Sequence, residues 1–276
     1  MPNNNSSQHL AAIKPNKSGY APVNGLKLYY EIYGTGKPLV LLHGGLGAID
    51  MFAPILPTLS EIRQVIAVDL QGHGRTADID RPLTVESMAD DIAALLKYLN
   101  IDQADLMGYS MGGAVVIQTL IRHPEVVGKA VIVSAAYKKD GWYPEMNAGM
   151  KNIGAASAEG MKQTPMYTLY ASQAPKPDDW TQLHIKMGQL LNQNYDWSED
   201  IKKIKSPVMI VIGDADGMPP AHAAAFFALL GGGLRDGGWD GSGVTKNRLA
   251  ILRGLTHYKI FASPALANTA VGFLNE

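Results

Sequence analysis

Continuous apolar runs alternate along this chain with segments whose apolar residues recur at helical spacing. Runs of about four to eight apolar residues are typical of strands that are buried on both faces of a sheet. The Asn24-Gly25 dipeptide between the first two runs favours a tight hairpin turn. The runs predict strands at 19–23, 26–33, 38–42, 64–68, 104–107, 129–134, 207–212 and 248–252.

Helical segments separate most of these strands. The clearest helix starts at Thr84, whose hydroxyl can cap it, and carries an apolar stripe through Met88, Ile92 and Leu95. Further helices are predicted at 51–59, 111–122, 221–230 and 264–274. Strands that alternate with helices favour an α/β fold, in which a mostly parallel sheet is covered by helices on both faces.

The alternation stops between residues 136 and 205, where large aromatic and methionine side chains recur with helical spacing in places. We expect a helical cap, or lid, inserted into a core formed by 19–135 and 206–276. Core packing would explain any one of these side chains, but as a group they suggest the wall of an apolar pocket. The candidate pocket residues are Trp142, Tyr143, Met146, Met166, Tyr170 and Met187.

Composition narrows the class of protein. The 276 residues are 46% hydrophobic and 18% charged, which allows a sizeable core, and the net charge of −1 gives no long-range attraction to nucleic acid or to an anionic membrane. Zero cysteines exclude a disulfide framework and a thiolate metal site. We expect a soluble, cytoplasmic protein, as a monomer or homodimer, with a disordered Asn/Ser-rich tail at 1–18.

The sequence Gly-Tyr-Ser-Met-Gly at 108–112 has the pattern G-x-S-x-G between a predicted strand and a predicted helix. In that context the pattern predicts a sharp turn that exposes the Ser110 hydroxyl at the carboxyl edge of the sheet. A serine hydroxyl is a weak nucleophile, so it needs an imidazole as a base and a carboxylate to orient that imidazole. Asp214 or Asp216, and then His257, follow in the chain, each just after a predicted strand.

Five motifs together resemble the α/β-hydrolase superfamily from about residue 19 to the end of the chain. They are His-Gly-Gly at 43–45, Asp-x-x-Gly-x-Gly at 69–74, the turn at 108–112, Gly-x-x-Asp at 213–216 and His257. The resemblance implies an eight-stranded, mostly parallel sheet with a helical cap, and a catalytic triad of Ser110, Asp216 and His257. Asp214 stays open as a second candidate for the acid.

An oxyanion hole needs backbone N–H groups directed at the substrate carbonyl oxygen. Met111, directly after the serine, is one candidate donor, and the turn after 38–42 offers Gly45, with Leu46 as its neighbour. His43 is interpreted as a hydrogen-bonded turn residue that supports this loop. The Gly-rich segment 231–243 is interpreted as a mobile surface loop, since it lacks the Gly-Lys-Ser/Thr of a nucleotide-binding loop.

The favoured function is hydrolysis of a hydrophobic carboxylic ester or lactone, with no cofactor and no metal. A cofactor-free perhydrolase would use the same triad and stays open. A hydrolase of carbon–carbon bonds is less favoured, because Leu46-Gly47-Ala48 replaces the Gly-Pro that such relatives often show. A hydrolase-like ligand receptor is the alternative outside enzymes.

Overall fold

The computed structural model describes residues 13–276. Most of the expected N-terminal tail, 1–12, lies outside the described residues. The first strand begins at Lys17, so residues 17 and 18 belong to the sheet rather than to a tail. Within residues 13–276, no helix has both the length and the apolar character needed to cross a membrane.

One eight-stranded sheet organises the chain, with the strand order β1-β2-β4-β3-β5-β6-β7-β8. The strands are β1 (Lys17–Val23), β2 (Leu26–Tyr33), β3 (Lys37–Leu42), β4 (Arg63–Asp69), β5 (Ala104–Tyr109), β6 (Val127–Val133), β7 (Val208–Ala215) and β8 (Arg248–Thr256). β2 runs antiparallel to β1 and β4, and all the other neighbours are parallel. The predicted mostly parallel α/β sheet is confirmed.

Eleven α-helices occur in the described part of the chain. They are α1 (Leu56–Ser60), α2 (Val85–Tyr98), α3 (Met111–Arg122), α4 (Pro144–Lys151), α5 (Ala155–Met161), α6 (Pro165–Gln173), α7 (Trp180–Leu191), α8 (Ser198–Ile201), α9 (Pro220–Leu229), α10 (His257–Ile260) and α11 (Pro264–Asn275). α2 begins as predicted, because the Thr84 hydroxyl accepts a hydrogen bond from the Ser87 N–H at 3.0 Å.

The helices cover both faces of the sheet and enclose a separate apolar core on each. Helices α2, α3 and α9 contribute buried side chains to one core, and α1 and α11 contribute to the other. The buried strands β3 to β7 lie between these two layers, which is why they are predominantly apolar. Their parallel direction brings the carboxyl ends of β3, β5 and β7 to one edge of the sheet.

The predicted helix at 51–59 is wrong as a continuous element. A 3₁₀ turn occupies Ile49–Phe52, and α1 starts only at Leu56. Two prolines, Pro54 and Pro57, fall inside the predicted span, and neither has an N–H to donate to a helical hydrogen bond. The chain therefore forms two short turns there instead of one helix.

Helices α4 to α8 lie between β6 and β7 and form the predicted helical cap. Trp180, at the start of α7, is almost fully buried, and its Nε1–H donates to the Ala158 carbonyl at 2.9 Å. This bond and the packing of α5 on α7 hold the cap together. The Gly-rich segment 231–243 contains no helix or strand, and Trp239 within it is fully exposed.

Candidate active site

The turn at 108–112 has the geometry that its sequence pattern predicts. Ser110 joins β5 to α3 with φ of 53° and ψ of −115°, a conformation that L-residues rarely adopt. A Cβ atom on Gly108 would lie 2.2 Å from the Gly112 carbonyl oxygen, and one on Gly112 would lie 2.3 Å from the Leu42 carbonyl oxygen. The two glycines therefore allow strand and helix to approach closely enough to expose Ser110.

His257 lies beside this serine, at the first position of α10 directly after β8. Its Nε2 is 3.1 Å from the Ser110 Oγ, which is hydrogen-bonding distance. The Tyr109 hydroxyl donates to the His257 carbonyl oxygen at 2.7 Å and ties the start of α10 to the end of β5. The Trp142 ring packs edge-on against the imidazole, with ring centres 5.6 Å apart. The imidazole is thus fixed on two sides while its Nε2 faces the serine.

Asp216, just past β7, accepts a hydrogen bond from the His257 Nδ1–H at 2.9 Å. Its carboxylate also accepts hydrogen bonds from the Ser134 hydroxyl and from the N–H groups of Gly213 and Gly217. Burial favours the neutral acid, but the hydrogen bonds from His257, Ser134 and Gly213 outweigh it and hold the pKa of Asp216 below its ordinary value. The buried carboxylate therefore stays charged beside the imidazole.

The second candidate acid is placed elsewhere. Asp214 is exposed and accepts a hydrogen bond from the Gly254 N–H at 2.7 Å. It bridges the ends of β7 and β8 rather than contacting His257. Of the two carboxylates left open by the sequence, Asp216 is the one that reaches the imidazole.

A tight turn at 43–47 faces Ser110 across the end of β3. The Gly47 N–H donates to the Gly44 carbonyl oxygen at 3.1 Å, and Leu46 adopts a φ of 58°. Within residues 13–276 the N–H groups of Gly45 and Met111 donate to no other protein group. Gly45, Leu46 and Met111 all line the same cavity as Ser110. Met111 is also the first residue of α3, where the helix dipole favours negative charge.

Two buried groups anchor this turn to the following one at 69–75. The His43 Nδ1–H donates to the Gly44 carbonyl oxygen at 2.7 Å, and its Nε2 accepts from the Leu70 N–H at 3.0 Å. Asp69 accepts from the N–H groups of Ile49 and Arg75, both at 2.8 Å. Burial lowers the pKa of His43 to about 4, so it stays neutral and keeps both roles. His43 thus occupies the supporting position expected from the sequence.

A cavity of about 770 Å³ opens above Ser110 between the sheet edge and the cap. Among the described residues, six methionines line this cavity: Met51, Met111, Met146, Met150, Met166 and Met187. Four of the six predicted pocket residues line this cavity, namely Tyr143, Met146, Met166 and Met187. A cavity of this size and apolar character suits a hydrophobic small molecule.

The other two predicted pocket residues do not line the cavity. Tyr170 is buried inside the cap. Its ring packs against that of Trp180, with ring centres 5.0 Å apart. Trp142 packs on the imidazole, and its Nε1–H donates to the Tyr195 hydroxyl at 3.0 Å. It therefore supports His257 from behind rather than facing the cavity.

The sequence interpretation missed several residues of the site. Ser134, at the end of β6, gave no signal because its contact with Asp216 depends on how β6 and β7 align. Glu145, Tyr258 and Phe261 also line the cavity. Tyr258 follows His257 directly, and Glu145 lies between the predicted pocket residues Tyr143 and Met146, whereas Phe261 had no such neighbour.

Comparison with known proteins identifies the fold family. Residues 37–230 match the family model described as alpha/beta hydrolase fold. RutD of Rhizobium rhizogenes, named as a candidate carbamate hydrolase, is 30% identical over 118 residues, or 41% of this chain, and the match spans only 45% of the length of RutD. The bifunctional esterase/perhydrolase DCH of Acinetobacter calcoaceticus is 27% identical over 224 residues, or 71% of this chain and 81% of DCH.

Among solved structures, the enol-lactonase of Burkholderia xenovorans superimposes with a TM-score of 0.69. The match covers 93% of this chain and all of that one, at 23% identity. At that identity the similarity concerns the fold alone.

Proposed function

This chain belongs to the α/β-hydrolase fold family, and from that premise we propose that it is a serine hydrolase. Its substrate in this proposal is a hydrophobic carboxylic ester or lactone, cleaved through an acyl-serine intermediate. The observation that carries the proposal is the chain of hydrogen bonds from Ser110 through His257 to Asp216, at 3.1 Å and 2.9 Å. These are the distances over which a proton can be transferred in one step.

In the first half of the reaction, the His257 Nε2 takes the proton of the Ser110 hydroxyl as Oγ attacks the ester carbonyl carbon. The charged Asp216 holds the Nδ1–H of the imidazole and stabilises the cation that forms. When the tetrahedral intermediate collapses, its C–O bond to the alcohol breaks, and the His257 Nε2–H protonates the leaving alcohol. The acyl group stays on Ser110.

In the second half, water replaces the alcohol. His257 takes a proton from the water, the resulting hydroxide attacks the acyl carbon, and the acid leaves as Oγ recovers its proton. Ester and water are thereby converted into acid and alcohol, and the enzyme is regenerated. The N–H groups of Gly45 and Met111 stabilise the oxyanion in both halves; removing one such donor typically costs about 2.7–4 kcal/mol.

The apolar cavity wall supports a hydrophobic substrate. Its methionines are flexible thioethers that adapt to different shapes, and they contribute no charge. A lactone fits the same chemistry, because it is an ester in which acyl and alcohol groups are joined. The cavity volume of about 770 Å³ accommodates a small molecule of drug size.

The test is a panel of p-nitrophenyl esters and lactones of graded size, assayed with the wild type and Ser110→Ala. We expect Ser110→Ala to lower kcat by about 10⁵- to 10⁶-fold, as in other serine hydrolases stripped of the nucleophile. The melting temperature should stay unchanged, because within residues 13–276 the Oγ atom makes no hydrogen bond other than that to His257. Turnover retained in a correctly folded Ser110→Ala protein would rule out the mechanism.

A perhydrolase is the second candidate, and the similarity to DCH favours it. Hydrogen peroxide would then replace water as the attacking group, giving a peracid in place of the acid. A peracid formed here would pass six methionine thioethers, each of which it can oxidise to the sulfoxide. We therefore expect hydrolysis to be the main reaction; sustained peracid production without loss of activity would favour the second candidate instead.

A further inference from the structure

The cavity wall carries an unbalanced charge. Glu145 lines the cavity and is exposed, and it forms no ion pair with any described residue. Among the described residues, the only other aspartate, glutamate or histidine side chains on the wall are Asp216 and His257, which pair with each other. No lysine or arginine among residues 13–276 lines this cavity. An anionic substrate would thus meet a carboxylate and no cation.

One lysine, Lys139, lies behind the wall. The Lys139 ammonium donates to the Leu191 carbonyl oxygen at 2.7 Å and lies 3.8 Å from the Met150 Sδ. Leu191 and Met150 both line the cavity, so they separate this ammonium from its interior. Two of the three N–H donors of this ammonium are thus directed at groups of the wall rather than into the cavity.

Aromatic rings surround the same space. Tyr143, Tyr258 and Phe261 line the cavity, and the Tyr258 hydroxyl lies 3.6 Å from the sulfur of Met146 in α4. Glu145 precedes Met146 in the first turn of that helix. The helix dipole alone explains an acidic residue at this position. Glu145 also lies on the cavity wall among aromatic rings, and a carboxylate together with such rings attracts organic cations.

We propose that Glu145 makes the active-site cavity select substrates by charge, in the order cationic, then neutral, then anionic esters. The preferred class is an ester whose apolar body carries an alkylammonium group. This proposal rests on the ester hydrolysis proposed above, but Glu145 acts on binding rather than on the chemical step.

The kinetic experiment uses three phenyl butyrates with para substituents of similar size: trimethylammonio, tert-butyl and sulfonate. Each is assayed with the wild type, Glu145→Gln and Glu159→Gln. Dividing the wild-type kcat/KM by that of Glu145→Gln cancels the different intrinsic reactivity of the esters. Glu159 is the matched control, since it is an exposed cap carboxylate that pairs with Lys162 and does not line the cavity.

We expect Glu145→Gln to lower the ratio of cationic to neutral kcat/KM by about twofold to fivefold, as is typical of one exposed charge pair, because the aromatic rings stay in place in the variant. The ratio of anionic to neutral kcat/KM should rise by a similar factor, and both changes should shrink at high salt. Glu159→Gln should leave both ratios unchanged. The proposal is overturned if both ratios are equal in the wild type and in Glu145→Gln. It is also overturned if the wild type prefers the sulfonate ester and Lys139→Met removes that preference.

A binding experiment separates this proposal from the proposed function. Ser110→Ala protein, with and without Glu145→Gln, is titrated calorimetrically with phenyltrimethylammonium and with benzenesulfonate. Tighter binding of the cation that depends on Glu145 supports charge selection even if none of the esters is hydrolysed. Indifference to charge in this titration contradicts the proposal even if Ser110-dependent hydrolysis is established.

Discussion

The sheet edge and the cap enclose the same cavity by different physical means. At the sheet edge, the single carboxylate of Asp216 accepts four hydrogen bonds, which come from His257, Ser134, Gly213 and Gly217. The cap contributes Met146, Met150, Met166 and Met187, whose side chains bend easily and make no directional bonds of this kind to the site. The edge fixes the reacting groups, and the cap shapes the space above them.

The same difference appears in the space around two glycines. A Cβ on Gly112 would lie 2.3 Å from the Leu42 carbonyl oxygen, which is backbone and cannot move away. A Cβ on Gly45 would lie 2.5 Å from the Cε atom of Met187, the free end of a flexible cap side chain. Rigidity at the edge and compliance in the cap suit an enzyme whose chemistry is constant and whose substrate range is set by the cap.

Asp216→Asn tests the hydrogen-bonded sheet edge, and we expect it to have the largest effect on kcat of the substitutions in this section. The amide cannot hold the imidazole as the carboxylate does, so kcat should fall by about 10⁴-fold on the proposed esters. Asp214→Asn is the matched control two residues away, and it should change kcat less than about threefold. A larger loss in Asp214→Asn than in Asp216→Asn would show that the wrong acid has been assigned.

Gly112→Ala and Gly45→Ala compare the two sides directly. Gly112→Ala forces a methyl group against backbone, so we expect a loss of more than about 3 kcal/mol in the free energy of unfolding. Gly45→Ala displaces only the end of Met187 and should cost less than about 1 kcal/mol. Urea unfolding measures both, and similar losses would contradict the difference in compliance. If Gly112→Ala yields no folded protein while Gly45→Ala folds, the comparison is also upheld.

Ser134→Ala should lower turnover far less than Asp216→Asn, and it also tests how the stability of the fold depends on pH. Losing one hydrogen bond to a charged group costs about 1.5–3 kcal/mol in the free energy of unfolding. Because Asp216 keeps its hydrogen bond to His257, kcat should fall by no more than about tenfold, the lower end of that cost. Since the folded pKa of Asp216 is lowered, this group stabilises the fold above its ordinary pKa of about 4, and that stability is lost as the pH falls through the folded pKa.

Removing Ser134 should raise the pKa of Asp216, so the variant should lose this stability at a higher pH than the wild type. Unfolding free energies measured from about pH 6 down to about pH 2, which spans the ordinary pKa and the lowered one, give the comparison. Ser157→Ala makes the same change in the cap, where the hydroxyl faces His184 at 3.1 Å, and should not alter kcat. Identical pH profiles for wild type and Ser134→Ala would show that Ser134 does not tune the carboxylate.

Local patterns made much of the sheet edge predictable. The turn at 108–112 needs small residues on both sides of Ser110 whatever surrounds it, and the hairpin needs residues that tolerate positive φ, as Asn24 and Gly25 do. The predicted helix at 51–59 is wrong for an equally local reason, because Pro54 and Pro57 interrupt the apolar pattern that favours it.

Contacts between distant segments set the limit of prediction. Ser134 and Asp216 are 82 residues apart, and only the pairing of β6 with β7 brings them together. In the cap, helical spacing identified large side chains but not the direction in which each helix faces. Tyr170, a predicted pocket residue, therefore packs inside the cap, whereas Glu145, which the spacing does not single out, lines the cavity.

The most direct test of the central proposal is covalent labelling with a fluorophosphonate, in which a nucleophilic serine displaces fluoride from phosphorus. We predict that one phosphonyl group per chain will be found on the peptide containing Ser110, and that ester hydrolysis will disappear in proportion to labelling. Ser110→Ala should take up no label. Full ester hydrolysis by the labelled protein, or a label on a residue other than Ser110, would contradict the account.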